Sequence, residues 1–193
     1  MTNLDSFIRT TKEEFFEVIE NTDTENLKKA AEIIVSAAEN NSRLHITGIG
    51  KPSYVAGYAA SLISSIGLPA YMLHGTEAVH GSCGQLKVGD VVILISNSGE
   101  TEELKSTANA VKNNGCRLIA ITGNKNSWLG KFCEVCIEAK VKAEGGVLNK
   151  APRNSILAET FAVQCLSILI QDYTNITPQE YIKRHPGGSL GKL

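Results

Sequence analysis

One stretch limits the possible folds more than any other: Asp90-Val-Val-Ile-Leu-Ile-Ser-Asn-Ser-Gly-Glu-Thr-Glu-Glu103. Val91–Ile95 is an unbroken apolar run, as expected of a strand buried on both faces of a parallel sheet. Within one residue it becomes Ser96-Asn97-Ser98-Gly99, and Leu104, Ala108 and Val111 then recur at helical spacing. A buried strand thus ends in a hydroxyl-rich loop that opens a helix. In a parallel sheet such a loop stands at the carboxyl end of the strand, where open α/β sheets bind ligands. Hydroxyls and free N–H groups at a helix start suit a phosphate.

The same alternation runs through most of the chain. Strands are expected at Arg43–Thr47, Ala70–Leu73, Val91–Ile95, Leu118–Ile121 and Val135–Ala139, separated by helical stretches. This predicts an α/β sheet, mostly parallel and covered on both faces. Two helices with no strand between them, Leu4–Glu20 and Thr24–Glu39, come first and are expected to pack as an antiparallel pair, outside the core or between subunits. The stretch Asn154–Tyr173 is apolar almost all round, which predicts a buried helix, often one set against another subunit. A short amphipathic helix, Ile176–Arg184, precedes the tail His185-Pro-Gly-Gly-Ser-Leu-Gly-Lys. With no repeat and no linker, residues 1–193 read as one domain: an N-terminal helical pair (1–41) and an α/β core with its tail (43–193).

A formal net charge of −1 gives no reason to expect nucleic acid or an anionic membrane as partner. No apolar run approaches the ~20 residues of a membrane span. The start lacks the basic-then-apolar order of a signal peptide. Five cysteines, an odd number, favour a reduced, cytoplasmic chain. Cys133 and Cys136 form a lone C-x-x-C without a second ligand pair, and they read as small buried hydrophobes rather than as a redox or metal site.

Gly48-Ile49-Gly50-Lys51-Pro52-Ser53 follows the first strand. It fails as a dinucleotide fingerprint, because Ser53 replaces the third glycine and no acid ends the second strand. It fails as a P-loop as well, since Lys51 precedes proline. What remains is a glycine loop with a cation at a helix start, where the dipole disfavours it unless an anion binds. Ser96, Ser98 and Thr101 exceed what one helix cap needs, and Gly99 lets a ligand approach the backbone. Glu100, Glu102 and Glu103 suit the helix dipole. His45 reads as a packed or edge strand residue and His74 as lying near a ligand rim. His80 and His185 sit in glycine-flanked segments, from which a ring nitrogen can reach a ligand. Glu144 follows a strand and reads either as a positioned carboxylate or as a loop acid.

Taken together, Gly48-Ile-Gly-Lys51-Pro-Ser53, His80-Gly81, Ser96-Asn-Ser-Gly-Glu100, Ile121-Thr-Gly123, Glu144 eight residues before Pro152, and His185-Pro-Gly-Gly-Ser-Leu-Gly resemble the sugar isomerase (SIS) domain. Within it the resemblance is closest to the arabinose 5-phosphate isomerases, through His80-Gly81 and His185-Pro-Gly-Gly. It runs from about Arg43 to Lys192. The resemblance implies a three-layer αβα sandwich with a flavodoxin-like five-stranded parallel sheet. It also implies a homotetramer with active sites at subunit contacts, and no metal or organic cofactor. The implied reaction interconverts D-ribulose 5-phosphate and D-arabinose 5-phosphate through an enediol. Lys51, His80, Glu100, Glu144 and His185 match the family's functional positions. Phosphate binding falls to Ser96, Ser98 and Thr101, with Asn97 of the same loop and Ser53 of the lysine loop as further phosphate-binding candidates. Glu144, or else Glu100, is expected to move the proton between C1 and C2. Lys51 is expected to stabilise the enediolate, and His185 or His80 to open the sugar ring.

Three departures accompany the match. Ser82 stands where family members usually have Asp. Arg153-Asn154-Ser155-Ile156 replaces a Thr-Ser-Ser-Thr run after Ala151-Pro152. Many members continue into a pair of CBS modules, which are not expected here. Arg153 would add a charge able to hold a carboxylate or second phosphate and is the candidate for substrate specificity. Two other readings stay open: a non-catalytic phosphosugar-binding module, and an isomerase of another sugar phosphate such as a 6-phospho-3-hexulose.

Overall fold

The computed structural model describes residues 2–187 and Ser189. Strands β1 (Leu44–Gly48), β2 (Ala70–Met72), β3 (Val91–Ile95), β4 (Arg117–Thr122) and β5 (Val135–Glu138) form one sheet in the order β2-β1-β3-β4-β5. Every pairing is parallel. This is the expected flavodoxin-like sheet. Its helices are α1 (Asn3–Glu20), α2 (Thr24–Glu39), α3 (Lys51–Ser65), α4 (Glu102–Asn113), α5 (Trp128–Phe132), α6 (Asn154–Thr174) and α7 (Pro178–Lys183).

The sandwich follows from the central strand. All five β3 residues are 0% exposed. Val91, Ile93 and Ile95 join the apolar core formed with α2, α3 and α6, while Val92 and Leu94 join the core formed with α4 and α5. Period-two alternation with both faces apolar leaves no place for β3 but the middle layer. The chain passes from β1 through α3 to β2 on one side. It then returns, through two short 3₁₀ turns (Glu77–His80 and Ser82–Gln85), to β3 on the other side of β1. The connections leaving β1 and β3 therefore diverge, and a crevice opens at their carboxyl ends. Gly48 pairs with Ile95, so the lysine loop and the serine loop begin at the same level.

The opposite, amino-terminal end of the strands is locked by Asp90. It accepts N–H groups from Arg43 (2.8 Å) and Lys87 (2.8 Å) and the Arg43 guanidinium (3.0 Å), and it lies 3.2 Å from His45 Nε2. Burial alone would raise its carboxyl, but the Lys87 and Arg43 donors overcome that and hold it below the usual range. Burial likewise depresses His45, which is the packed strand residue anticipated.

One expectation needs correction. The first two helices do not pack chiefly on each other: α1 lies across α6, and α2 packs on α6 and β5. α1 buries no residue fully, and its hold on the core is local, as in the edge-to-face pair Phe15–Phe161 at 5.4 Å. α6 is the apolar helix anticipated over Asn154–Tyr173. By length and composition it is apolar enough to cross a bilayer, although half of that stretch is buried against the rest of the fold. No uninterrupted apolar run spans it, because single polar residues such as Glu159 and Ser167 divide it. Cys133 and Cys136 sit against the α4–α5 core, and burial pushes their thiols up to about 12 and about 11, as suits small hydrophobes.

Candidate functional site

At the end of β1 the chain turns sharply into α3. Gly50, at φ +67°, is the residue before the helix, and α3 has neither a side-chain cap nor an acid in its first turn. Ser53 Oγ donates back to the Gly50 carbonyl at 2.6 Å. Lys51 is exposed at this uncapped end. Cation and helix dipole together make a positive corner that favours an anion.

The serine loop beside it is braced from within. Ser96 is buried; its N–H donates to the Ile121 carbonyl (3.0 Å), and its Oγ accepts the Gly99 N–H (3.2 Å) and lies 3.3 Å from Thr101 Oγ1. The Asn97 carbonyl accepts from Gly123 N–H at 3.0 Å. Gly99 has φ +67°, and a Cβ there would run into the side chains of Ser127 and Thr122. Ser98 is exposed; its Oγ accepts the Glu100 N–H (3.2 Å), which leaves the hydroxyl proton for a ligand. No side chain caps α4, which starts at Glu102 rather than at Glu100. The hydroxyls therefore shape a turn ahead of the helix and leave its first N–H groups open.

The two candidate carboxylates differ in setting. Glu100 is tied down: Lys105 Nζ lies 2.8 Å from one oxygen, and the other accepts the Trp128 N–H at 2.8 Å. The Lys105 hydrogen bond, then the Trp128 N–H, hold its carboxyl below the usual range, a poor setting for a base. Glu144 sits at the start of α6, where Oε2 accepts N–H groups from Arg153 (2.6 Å) and Ser155 (3.1 Å). Its other oxygen takes no hydrogen bond from the described residues. Lys51, Tyr54, Val55 and Tyr58 line a shallow groove with Pro152, Ile156 and Thr160 of the α6 segment, so Lys51 and the start of α6 share one end of the molecule.

The histidines do not gather there in equal measure. His80 is exposed at the close of the first 3₁₀ turn, in the segment whose Gly75 packs on Gly48 and Ile49 at the same sheet edge. His74 is spent locally, with Nδ1 accepting the Glu77 N–H at 3.2 Å. His185 lies at the far end. Its ring packs at a tilt on Tyr181 (4.1 Å between centroids), and the Arg184 side chain beside it packs on Gly67, beyond the end of α3. The 15 residues of α3 put roughly 22 Å between that end and Lys51. Within one chain the structure does not bring His185 to the other candidates. The tail motif also extends to Gly188 and residues 190–193, which lie outside the described residues.

Arg153 stands beside Glu144 but is engaged, with its guanidinium 3.4 Å from the Gly145 carbonyl and over the Phe7 ring. Two features escaped the sequence reading. Tyr54 and Tyr58 line the groove, and their i, i+4 spacing on α3 was the available signal. Glu159 on α6 is 0% exposed with both oxygens unpartnered among the described residues, and its signal was a lone acid in an otherwise apolar stretch.

The SIS domain family profile matches residues 38–169. The Francisella tularensis protein named arabinose 5-phosphate isomerase KdsD is 35% identical over 179 residues, covering 93% of this chain and 55% of the relative. The Pseudomonas aeruginosa protein of the same name is 34% identical over 164 residues, covering 85% of this chain and 49% of the relative. The chain thus spans about half the length of these curated relatives. Among solved structures, an Escherichia coli CFT073 protein in complex with arabinose 5-phosphate superposes with a TM-score of 0.82 at 31% identity, covering 96% of this chain and all of that one.

Proposed function

This chain belongs to the SIS domain family, and from that premise we propose that it is an aldose–ketose phosphate isomerase acting on D-arabinose 5-phosphate and D-ribulose 5-phosphate. The observation that carries the reading is Glu144, a carboxylate with one unoccupied oxygen, at the same end of the fold as Lys51 and the open serine loop. Ser98, Thr101 and the free N–H groups at the start of α4 hold the phosphate, and Ser96 and Asn97 keep the loop in shape. Glu144 removes the proton from C2 of the aldose and returns it to C1 of the enediol. Lys51 stabilises the enediolate oxygen. The relatives named arabinose 5-phosphate isomerase and the structure with the bound sugar phosphate support this substrate class.

His185 enters the reading through assembly. It is too far from Lys51 in its own chain, so ring opening falls to His80 or to His185 of the partner subunit in a homotetramer. The outward stripe of α6, with Leu157, Ile168 and Tyr173 exposed, and the exposed Leu4, Ile8 and Phe16 of α1 supply apolar surface for such contacts. Free cysteines suit the cytoplasm.

Incubation with ribulose 5-phosphate, arabinose 5-phosphate and a panel of other ketose phosphates tests the proposal. Conversion of the pentose phosphates, with other sugars at least tenfold slower, is expected. Saturable binding without any aldose formed would make the protein a sensing module instead. A preference for a substrate bearing a second anion would move the specificity role to Arg153.

A further inference from the structure

α6 carries one acid on its inner face, Glu159, and the structure gives it no partner. Ser155, one turn earlier on that face, is also fully buried, and its hydroxyl is unpartnered too. Helical side chains lean toward the N-terminus, so Glu159 lies over the turn that begins at Ser155. The Ser155 N–H is one of the two that hold Glu144. Burial first, then the charge of Glu144, push the Glu159 carboxyl up to about 8. Among the described residues, the cations around this end include Lys51 on α3 and Lys142, Lys150 and Arg153 in the segment ahead of α6; Lys142 is turned to Glu17 on α1. Arg153 is turned to the Gly145 carbonyl, and no charged group of α1, α2, α3 or β4 among the described residues pairs with Glu159. An unpartnered buried acid costs stability at neutral pH, and folds concentrate such costs at functional sites.

We propose that Glu159 is a positioning residue for Glu144: the pair carries one proton and one negative charge, with Glu159 neutral and Glu144 ionised as the base. This rests on the reading of Glu144 as the group that moves the substrate proton. When Glu144 takes that proton, the pair holds two protons and no charge. Returning it to the neighbouring carbon restores one proton and one negative charge. Ionisation of Glu159 at higher pH would place a second charge beside a site where the enediolate is gaining negative charge, and turnover falls.

Carboxyl ¹³C NMR titration of the full chain tests the pairing without any substrate, with Glu159 assigned by its loss in Glu159→Gln. The Glu159 resonance should titrate near 8 in the wild type and at clearly lower pH in Glu144→Gln. A titration that Glu144→Gln leaves unmoved overturns the pairing. The functional half is read from kcat/KM against pH with D-arabinose 5-phosphate. The wild type should fall about tenfold from its plateau by pH 9. Glu159→Gln should stay within about threefold of wild type at pH 6.5 and lack that fall, and Glu159→Asp should restore it. An identical alkaline fall in Glu159→Gln overturns the proposal, since a purely structural Glu159 would shift Tm and leave the profile unchanged. Lack of turnover by the wild type would overturn the proposed reaction instead, and the NMR coupling would still decide the pair.

Discussion

Glu100 and Glu144 are the same side chain in two settings, and the setting assigns the work. Glu144→Gln is expected to lower kcat by about 10²–10⁴. Glu100→Gln removes a hydrogen-bonded brace and should cost less than about tenfold; steady-state kinetics on the two variants separate them. The sequence left both glutamates open because an ion pair to Lys105 and a backbone N–H from Trp128 are tertiary facts. Glu159 makes a prediction about stability and pH. Its folded pKa is raised, so the stability linked to it is fully present below its unfolded value and is lost as pH rises toward about 8. Between pH 4.5 and 7 the wild type should lose on the order of 3 kcal/mol through this group, at ~1.4 kcal/mol per pH unit. Glu159→Gln should lack that slope in urea melts at the two pH values. Equal slopes would mean that the carboxyl is solvated in the native state.

The serine loop is legible as an element because every part of it has a local cause. The apolar run Val91–Ile95 can only be a central strand, and the hydroxyls that follow mark the ligand end of the sheet. What the sequence could not show is how the hydroxyls divide: Ser96 is turned inward to Gly99, and Ser98 is left outward. The packing of α1 and α2 was also illegible, because their apolar stripes suit either each other or α6, and only the folded chain shows that both pack on α6. Gly99 carries the prediction at this scale. Gly99→Ala puts a Cβ at φ +67° against Ser127 and Thr122. It should cost about 1–3 kcal/mol and raise KM for the sugar phosphate several-fold or more. Gly84→Ala, where a Cβ meets nothing within 4 Å, is the control and should change neither quantity. Denaturant melts and KM values on both variants check it.

The molecule as a whole is set by the parallel order β2-β1-β3-β4-β5, which gathers Lys51, the serine loop and Glu144 at one end and leaves His185 at the other. The sequence motifs contained the five-stranded fold and most of the candidate site, but no motif records which copy of the chain supplies a residue. If His185 serves a neighbouring site, Glu144→Gln and His185→Ala proteins, each impaired alone, should complement when co-assembled. Random mixing at equal amounts rebuilds about a quarter of the sites, because a complete site needs one intact residue from each chain. No recovery, with mixed oligomers shown by mass, would return His185 to a tail role. NMR of ribulose 5-phosphate incubated with the protein in D₂O reads out an enediol isomerisation driven by Glu144. Arabinose 5-phosphate carrying deuterium at C2 is expected, formed at least ~100-fold more slowly by Glu144→Gln. Bound ribulose 5-phosphate that yields neither the aldose nor deuterium exchange would contradict it.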